Sequence, residues 1–195
     1  PEMVGRLWWW VCQTGLFAPV VLDHVTDRFK EIRRPYVSDA LQGVSSHNDL
    51  VPRNVLFDGD RLWLIDWESA YRNDPLTDVA IALDNFGTTP EAESALLQGW
   101  CDTDRLDDAT ADRLDKVRAH TRLYYAGVLL SASAAMQGAV GDRDLSALTA
   151  AELENAFRRS DIVPGSAVAK HELGKVYVAS FMSGQRPPGL DYALP

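Results

Sequence analysis

The tightest constraint on what this chain can fold into is one stretch, Ser46-His47-Asn48-Asp49-Leu50-Val51-Pro52-Arg53-Asn54-Val55-Leu56-Phe57, followed by Leu64-Ile65-Asp66-Trp67-Glu68. Within it, two short runs rich in β-formers, Val55 to Phe57 and Leu62 to Ile65, flank Asp58-Gly59-Asp60. Asp-Gly is strong turn chemistry, because glycine tolerates the positive φ that a tight connection demands. The stretch therefore predicts a β-hairpin, and pairing about that turn brings Asn54 and Asp66 nearly opposite each other at its open end. Opposed residues on paired strands lie about 4.5 to 5.5 Å apart at Cα, so an amide oxygen and a carboxylate can converge on one hard cation. Mg²⁺ suits them: it takes oxygen ligands, keeps several waters and is completed by substrate phosphates.

Asp49, just upstream on a loop, faces the same point. One aspartate to accept a hydroxyl proton, with an asparagine and a second aspartate to hold metal, is the division of labour of a phosphoryl-transfer centre, where positioning and charge neutralisation do most of the work. The competing reading is a surface hairpin whose Asn and Asp merely cap turns. Three oxygen-bearing residues at kinase spacing, in a hairpin context, favour the first.

Together with Asn73-Asp74-Pro75-Leu76-Thr77-Asp78-Val79-Ala80, these motifs make the chain resemble the choline kinase and aminoglycoside phosphotransferase superfamily, which has a protein-kinase-like fold. Within it the pattern is most similar to the bacterial choline kinase type, over roughly residues 44 to 84. The resemblance implies that Asp49 is the catalytic base, that His47 braces the catalytic loop, and that Asn54 and Asp66 bind Mg²⁺ and through it ATP. Glu68 falls where the family has an acidic residue near the acceptor pocket. Asp78 stands where the family has an aspartate that braces the catalytic loop by hydrogen bonds, so it is read as structural rather than metal-binding. Tyr124 and Tyr125 lie in the helix where choline kinases carry aromatic residues, often tryptophan, that box a quaternary ammonium by cation–π attraction. The tryptophans are missing here, and a core role for the two tyrosines competes with the cage.

Composition narrows the partners. A net charge of −9 argues against nucleic acid, which wants a basic stripe. It suits a cationic small substrate drawn to an acidic cleft, although acidity also simply confers solubility. Cys12 and Cys101 make neither a disulfide framework nor a zinc pattern, so reduced thiols and a cytoplasmic location are expected. No apolar run approaches the ~18 residues of a membrane span, and the first residues lack a signal-peptide pattern.

The remaining chain reads as helices. Glu2 to Gln13 is an apolar helix, with a strand as the alternative, and its three consecutive tryptophans cannot all point one way. Leu22, Val25, Phe29 and Ile32 recur at helical spacing between Pro19 and Pro35. A short strand, Val44 to Ser46, delivers the catalytic loop. Asp74-Pro75 and Thr89-Pro90 start two further helices. The segment from Ala109 to Met136 is the longest, with Leu114, Val117, Leu123, Tyr124, Val128 and Ala135 for its buried side and His120 and Arg122 facing solvent. Thr149 with Glu152 is a capping box, and a last helix runs from Ala167 to Met182.

The expected fold class is α+β, mainly α: the C-terminal lobe of a protein-kinase-like fold, with a short catalytic β-hairpin surrounded by helices. Residues 1–43 form leading helices, 44–68 the catalytic loop and hairpin, 69–186 a helical acceptor-binding part and 187–195 an irregular tail. The N-terminal nucleotide lobe is expected to be absent from this stretch, since the 46 residues before His47 hold one lysine, Lys30, in a helical pattern. As given, the chain is expected to be inactive without that lobe. The expected function is ATP-dependent phosphorylation of a hydroxyl on a cationic or amine-bearing small molecule, choline or an amino alcohol, with an aminoglycoside or other antibiotic as the alternative acceptor. From another class, the alternative is a non-catalytic binding module that retains the fold.

Overall fold

Apolar residues at helical spacing dominate the chain, and the computed structural model, which describes residues 2–36, 43–102 and 106–188, is accordingly mainly helical. Its elements are α1 (Glu2–Gln13), α2 (Pro19–Tyr36), β1 (Val44–Ser46), β2 (Val55–Phe57), β3 (Leu62–Leu64), β4 (Tyr71–Asn73), α3 (Leu76–Phe86), α4 (Pro90–Cys101), α5 (Asp108–Gln137), α6 (Ala150–Arg158) and α7 (Ala167–Ser183). The sequence reading contains each of these except β4. Two antiparallel two-stranded sheets form: β2 with β3, which is the hairpin, and β1 with β4, where Ser46 pairs with Tyr71 and Val44 with Asn73. Among the described residues no helix is long and apolar enough to cross a membrane.

The chain divides into two units, one formed by Pro1–Ser38 with Arg122–Pro195, the other by Asp39–Thr121. In the first, α1 buries Val4, Trp8 and Val11. Consecutive helical residues point about 100° apart, so the tryptophan run splits: Trp8 is buried and donates from its indole to Thr26 Oγ1 at 3.0 Å, while Trp9 and Trp10 are exposed. A core cluster of Leu129, Leu153, Leu173 and Val176 joins α5, α6 and α7. Gly174 permits the close approach of α7 to α5, since a Cβ there would stand 2.5 Å from Leu130 Cγ.

The buried face of α5 departs from expectation. Val128 and Ala135 are exposed, and Ala126, Leu129, Leu130 and Ser133 are buried instead. His120 and Arg122 are buried rather than solvent-facing. Each is held by a backbone carbonyl that periodicity cannot reveal: His120 Nδ1 contacts Lys116 O at 2.7 Å, and Arg122 Nη1 donates to Gly184 O at 2.8 Å, at the end of α7 where a cation is favoured.

The same unit as the Leu129 cluster holds a buried charge cluster. Asp142 Oδ2 lies 2.8 Å from His171 Nε2 and 3.5 Å from Lys175 Nζ, with both partners buried, and Phe17 stacks on the His171 ring. Burial pushes the Asp142 carboxyl up, but the Asp144 backbone N–H, the His171 hydrogen bond and the Lys175 charge outweigh it and hold it below the ordinary value of 3.8. A depressed carboxyl contributes stability that is present above its unfolded value and lost as pH falls through its folded one. Asp142→Ala, which strands Lys175, is therefore expected to cost about 3 kcal/mol at neutral pH. That difference should shrink below pH 3.8, as read by urea titrations of both proteins. A difference that stayed constant down to acid pH would contradict the assignment.

In the second unit α3 packs on α4. Asp74 Oδ1 accepts from Leu76 N at 2.9 Å to start α3, and also from Arg113 Nη2 of α5 at 2.8 Å. Arg118 of α5 pairs with the buried Asp84 at 2.8 Å. These contacts fix the helix that meets the catalytic loop.

Candidate functional site

The site is built on the loop that leaves β1. Asp78, in the first turn of α3, accepts from the backbone N–H of His47 at 2.8 Å and of Asn48 at 2.7 Å, so one carboxylate holds two successive amides. His47 is buried, and its Nε2 lies 2.8 Å from Ile65 O, while Asp49 N donates to its Nδ1 at 3.3 Å. Those two contacts fix the tautomer: the proton sits on Nε2 and is donated to Ile65. The imidazole thus ties the loop to the end of the hairpin, and Trp67 covers it with ring centroids 4.7 Å apart.

Buried Val51 anchors the loop, and a 3-10 turn over Pro52–Asn54 then delivers Asn54 into β2. Asn54 is 2% exposed, and its Nδ2 donates to Asp49 O at 3.0 Å and to Asp49 Oδ2 at 2.9 Å. The opposite amide orientation would aim oxygen at oxygen, so this one is set by the network. With both amide hydrogens turned to Asp49, the remaining polar atom of the Asn54 side chain is an oxygen with no hydrogen bond among the described residues. Arg53 Nη2 also reaches Asp49 Oδ2, at 3.3 Å.

The hairpin register corrects one expectation. Val55 pairs with Leu64, and Ile65 N donates to Asn54 O at 3.0 Å, so Ile65 rather than Asp66 stands across from Asn54. Asp66 follows one residue later at φ 61° and ψ 61°, a left-handed conformation unusual for a residue other than glycine. The pairing ends there because that backbone turns the chain into the 3-10 turn Trp67–Ser69. The Asp66 carboxylate is exposed and has no hydrogen-bond or ion-pair partner among the described residues, and the same holds for Glu68.

The sequence reading passes over two residues of this network, Asn48 and Asn73. Asn48 Nδ2 lies 3.0 Å from Ser46 O, 3.0 Å from Ser69 O and 3.3 Å from Tyr71 O, and its Oδ1 accepts from Asn73 Nδ2 at 2.7 Å. An asparagine two residues after a strand, in a loop where left-handed backbone is tolerated, is the only sequence signal for it.

Tyr124 and Tyr125 belong to the other unit. They meet edge-on at 5.7 Å, and Tyr125 lies 5.4 Å from Tyr177, which packs on the Leu129 cluster. Tyr124 and Tyr125 are both partly buried and form part of that unit's packing.

Among the described residues no group of three or more His, Cys, Asp or Glu side chains could hold a metal. Mg²⁺ does not require one, since it is bound by one or two carboxylates plus substrate phosphates. The donor chemistry fits: the hairpin mouth offers an amide oxygen that can only accept and a carboxylate without a partner.

The sequence matches the model of the phosphotransferase enzyme family over residues 11–116. Two LicA proteins of Haemophilus influenzae, one of them from strain Rd, are each 47% identical to it over 55 residues, which is 28% of this chain and 21% and 16% of theirs. An uncharacterized protein of Metamycoplasma hominis is 37% identical over 74 residues, 37% of this chain and 15% of its own length. The chain thus aligns with about a fifth or less of these relatives. No solved structure matches.

Proposed function

The chain belongs to the phosphotransferase enzyme family, and on that premise we propose that it is the C-terminal lobe of an ATP-dependent small-molecule kinase of protein-kinase-like fold. The observation that carries this reading is the Asn54 amide: both of its hydrogens point at Asp49, which leaves its oxygen free to accept a cation. In this proposal Asp49 accepts the proton of the acceptor hydroxyl as that oxygen bonds to the γ-phosphorus, and the bond to the β-phosphate oxygen breaks to release ADP. Asn54 and Asp66 hold Mg²⁺, which when bound neutralises the phosphate oxygens. His47 and Asp78 keep the loop in place.

The nucleotide is covered, in this reading, by a separate N-terminal lobe. The hairpin supports it: Leu56, Phe57, Leu62, Trp63, Leu64 and Ile65 are all 40% or more exposed, so the ribbon offers apolar side chains on both faces. An isolated two-stranded hairpin is marginal in water, and apolar exposure on this scale marks a surface that something covers.

The acceptor proposed is choline or a related amino alcohol, with the exposed Glu68 as the candidate for its ammonium group. The test is ADP release by the complete protein with Mg-ATP and choline, ethanolamine or an aminoglycoside. Release that depends on choline or ethanolamine is expected. Release with the aminoglycoside alone would reassign the acceptor, and none with any alcohol would favour a non-catalytic module.

A further inference from the structure

We propose that Asn48 is a positioning residue that sets the separation between the base, Asp49, and the metal-ligating Asp66; this rests on the phosphotransferase reading of the site. Among the described residues, four other than glycine have positive φ: Asn48, Asp66, Asp102 and Ser160. Asp102 and Ser160 follow the ends of α4 and α6, where left-handed backbone is ordinary. Asn48 and Asp66 end no helix. Both are held off the common conformations at the two segments the reaction must bring together, which is where such backbone is most informative.

The side chain of Asn48 shows what holds them. It is 8% exposed, and its two amide hydrogens are shared among three carbonyls: Ser46 at the end of β1, and Ser69 and Tyr71 on the segment running from Asp66 into β4. Its oxygen takes the Asn73 amide at 2.7 Å, and Asn73 Oδ1 in turn accepts from Asp74 N at 2.9 Å. The orientation is unambiguous, since the flipped amide would face three carbonyl oxygens with a fourth. Asn48 thus spans the base loop and the metal-aspartate segment with one rigid group, beyond the Ser46–Tyr71 pairing of β1 with β4. Turn formation alone does not need this side chain, because glycine supplies the same φ with no side chain at all. Aspartate would also tolerate the backbone, but would set a carboxylate against three carbonyls.

Asn48→Gly separates the two roles, because it keeps the backbone and removes the tether. In the complete protein it is expected to lower kcat about 10- to 100-fold and to raise the Mg²⁺ concentration giving half-maximal rate by a similar factor, as for other partners that orient metal ligands. Amide hydrogen exchange over residues 66–71 is expected to accelerate about tenfold or more, while exchange in α3 stays unchanged. Unchanged kcat and Mg²⁺ requirement in an active enzyme would overturn the proposal, as would a lost rate with an unchanged Mg²⁺ requirement. If Asn48→Gly does not fold, Asn73→Asp, which removes the donor to Asn48 Oδ1, is read by the same measures. If the wild-type protein transfers no phosphate to any acceptor, the functional reading fails, and the exchange rates still decide the tether: no acceleration refutes it.

Discussion

Asp49→Asn in the complete protein is expected to cut kcat by about 10³-fold while ATP affinity changes by less than about twofold. The substitution is nearly isosteric, and the new side-chain amide oxygen can still accept the Asn54 Nδ2 hydrogen bond now made at 2.9 Å, so the loop geometry survives. What disappears is the carboxylate proposed to take the hydroxyl proton. Arg53 loses a carboxylate partner at 3.3 Å, but that ion pair is long and partly exposed on the arginine side and contributes little. Because the nucleotide is held through metal on Asn54 and Asp66 in this account, its binding should be spared. Steady-state kcat with an independent measure of ATP affinity separates the two. Near-normal turnover would remove Asp49 from the base role.

Asp78→Ala is expected to cost about 3 kcal/mol of stability, although the residue touches neither metal nor acceptor in this account. Its carboxylate receives two short backbone donors, 2.8 Å from His47 and 2.7 Å from Asn48. Hydrogen bonds to a charged group contribute about 1.5 to 3 kcal/mol each, and two on one carboxylate do not add fully. Asp78 also lies in the first turn of α3, where a negative charge is favoured. For a chain of this size the loss corresponds to a melting temperature lower by roughly 6 to 12 °C. Asp78→Asn should not rescue it, since its amide nitrogen would face a backbone N–H. A melting temperature within about 2 °C of wild type would show that the loop is held by other means.

What was legible in the sequence was local. Asp58-Gly59 marks the hairpin turn, where Gly59 has φ 100° and Asp58 Oδ1 caps the amides of Asp60 and Arg61. Thr149 and Glu152 form the reciprocal capping box, and Thr89 caps α4. Each is a contact between residues two or three apart, so the pattern and the physics coincide. The pairing of β1 with β4 joins residues far apart in sequence through three-residue strands, too short for alternation to show. The one-residue offset of Asp66 came from the hairpin register, which pairs Phe57 with Leu62 across the turn and so sets Ile65 opposite Asn54. On α5 the buried side is decided by what packs against each turn, so a single periodic face misplaced Val128 and Ala135, and the carbonyls that receive His120 and Arg122 leave no mark in their neighbours. Asn48 was missed for the same reason: three of its four side-chain contacts lie 21 to 25 residues away.

A crystal structure of the complete protein with Mg²⁺ and a non-hydrolysable ATP analogue tests the account most directly. It should show the Asn54 amide oxygen and an Asp66 carboxylate oxygen about 2.1 Å from a metal that also contacts phosphate oxygens. Asp49 should face the γ-phosphate across space for a hydroxyl. Metal held by other side chains, or Asn54 and Asp66 turned away from the nucleotide, would contradict it.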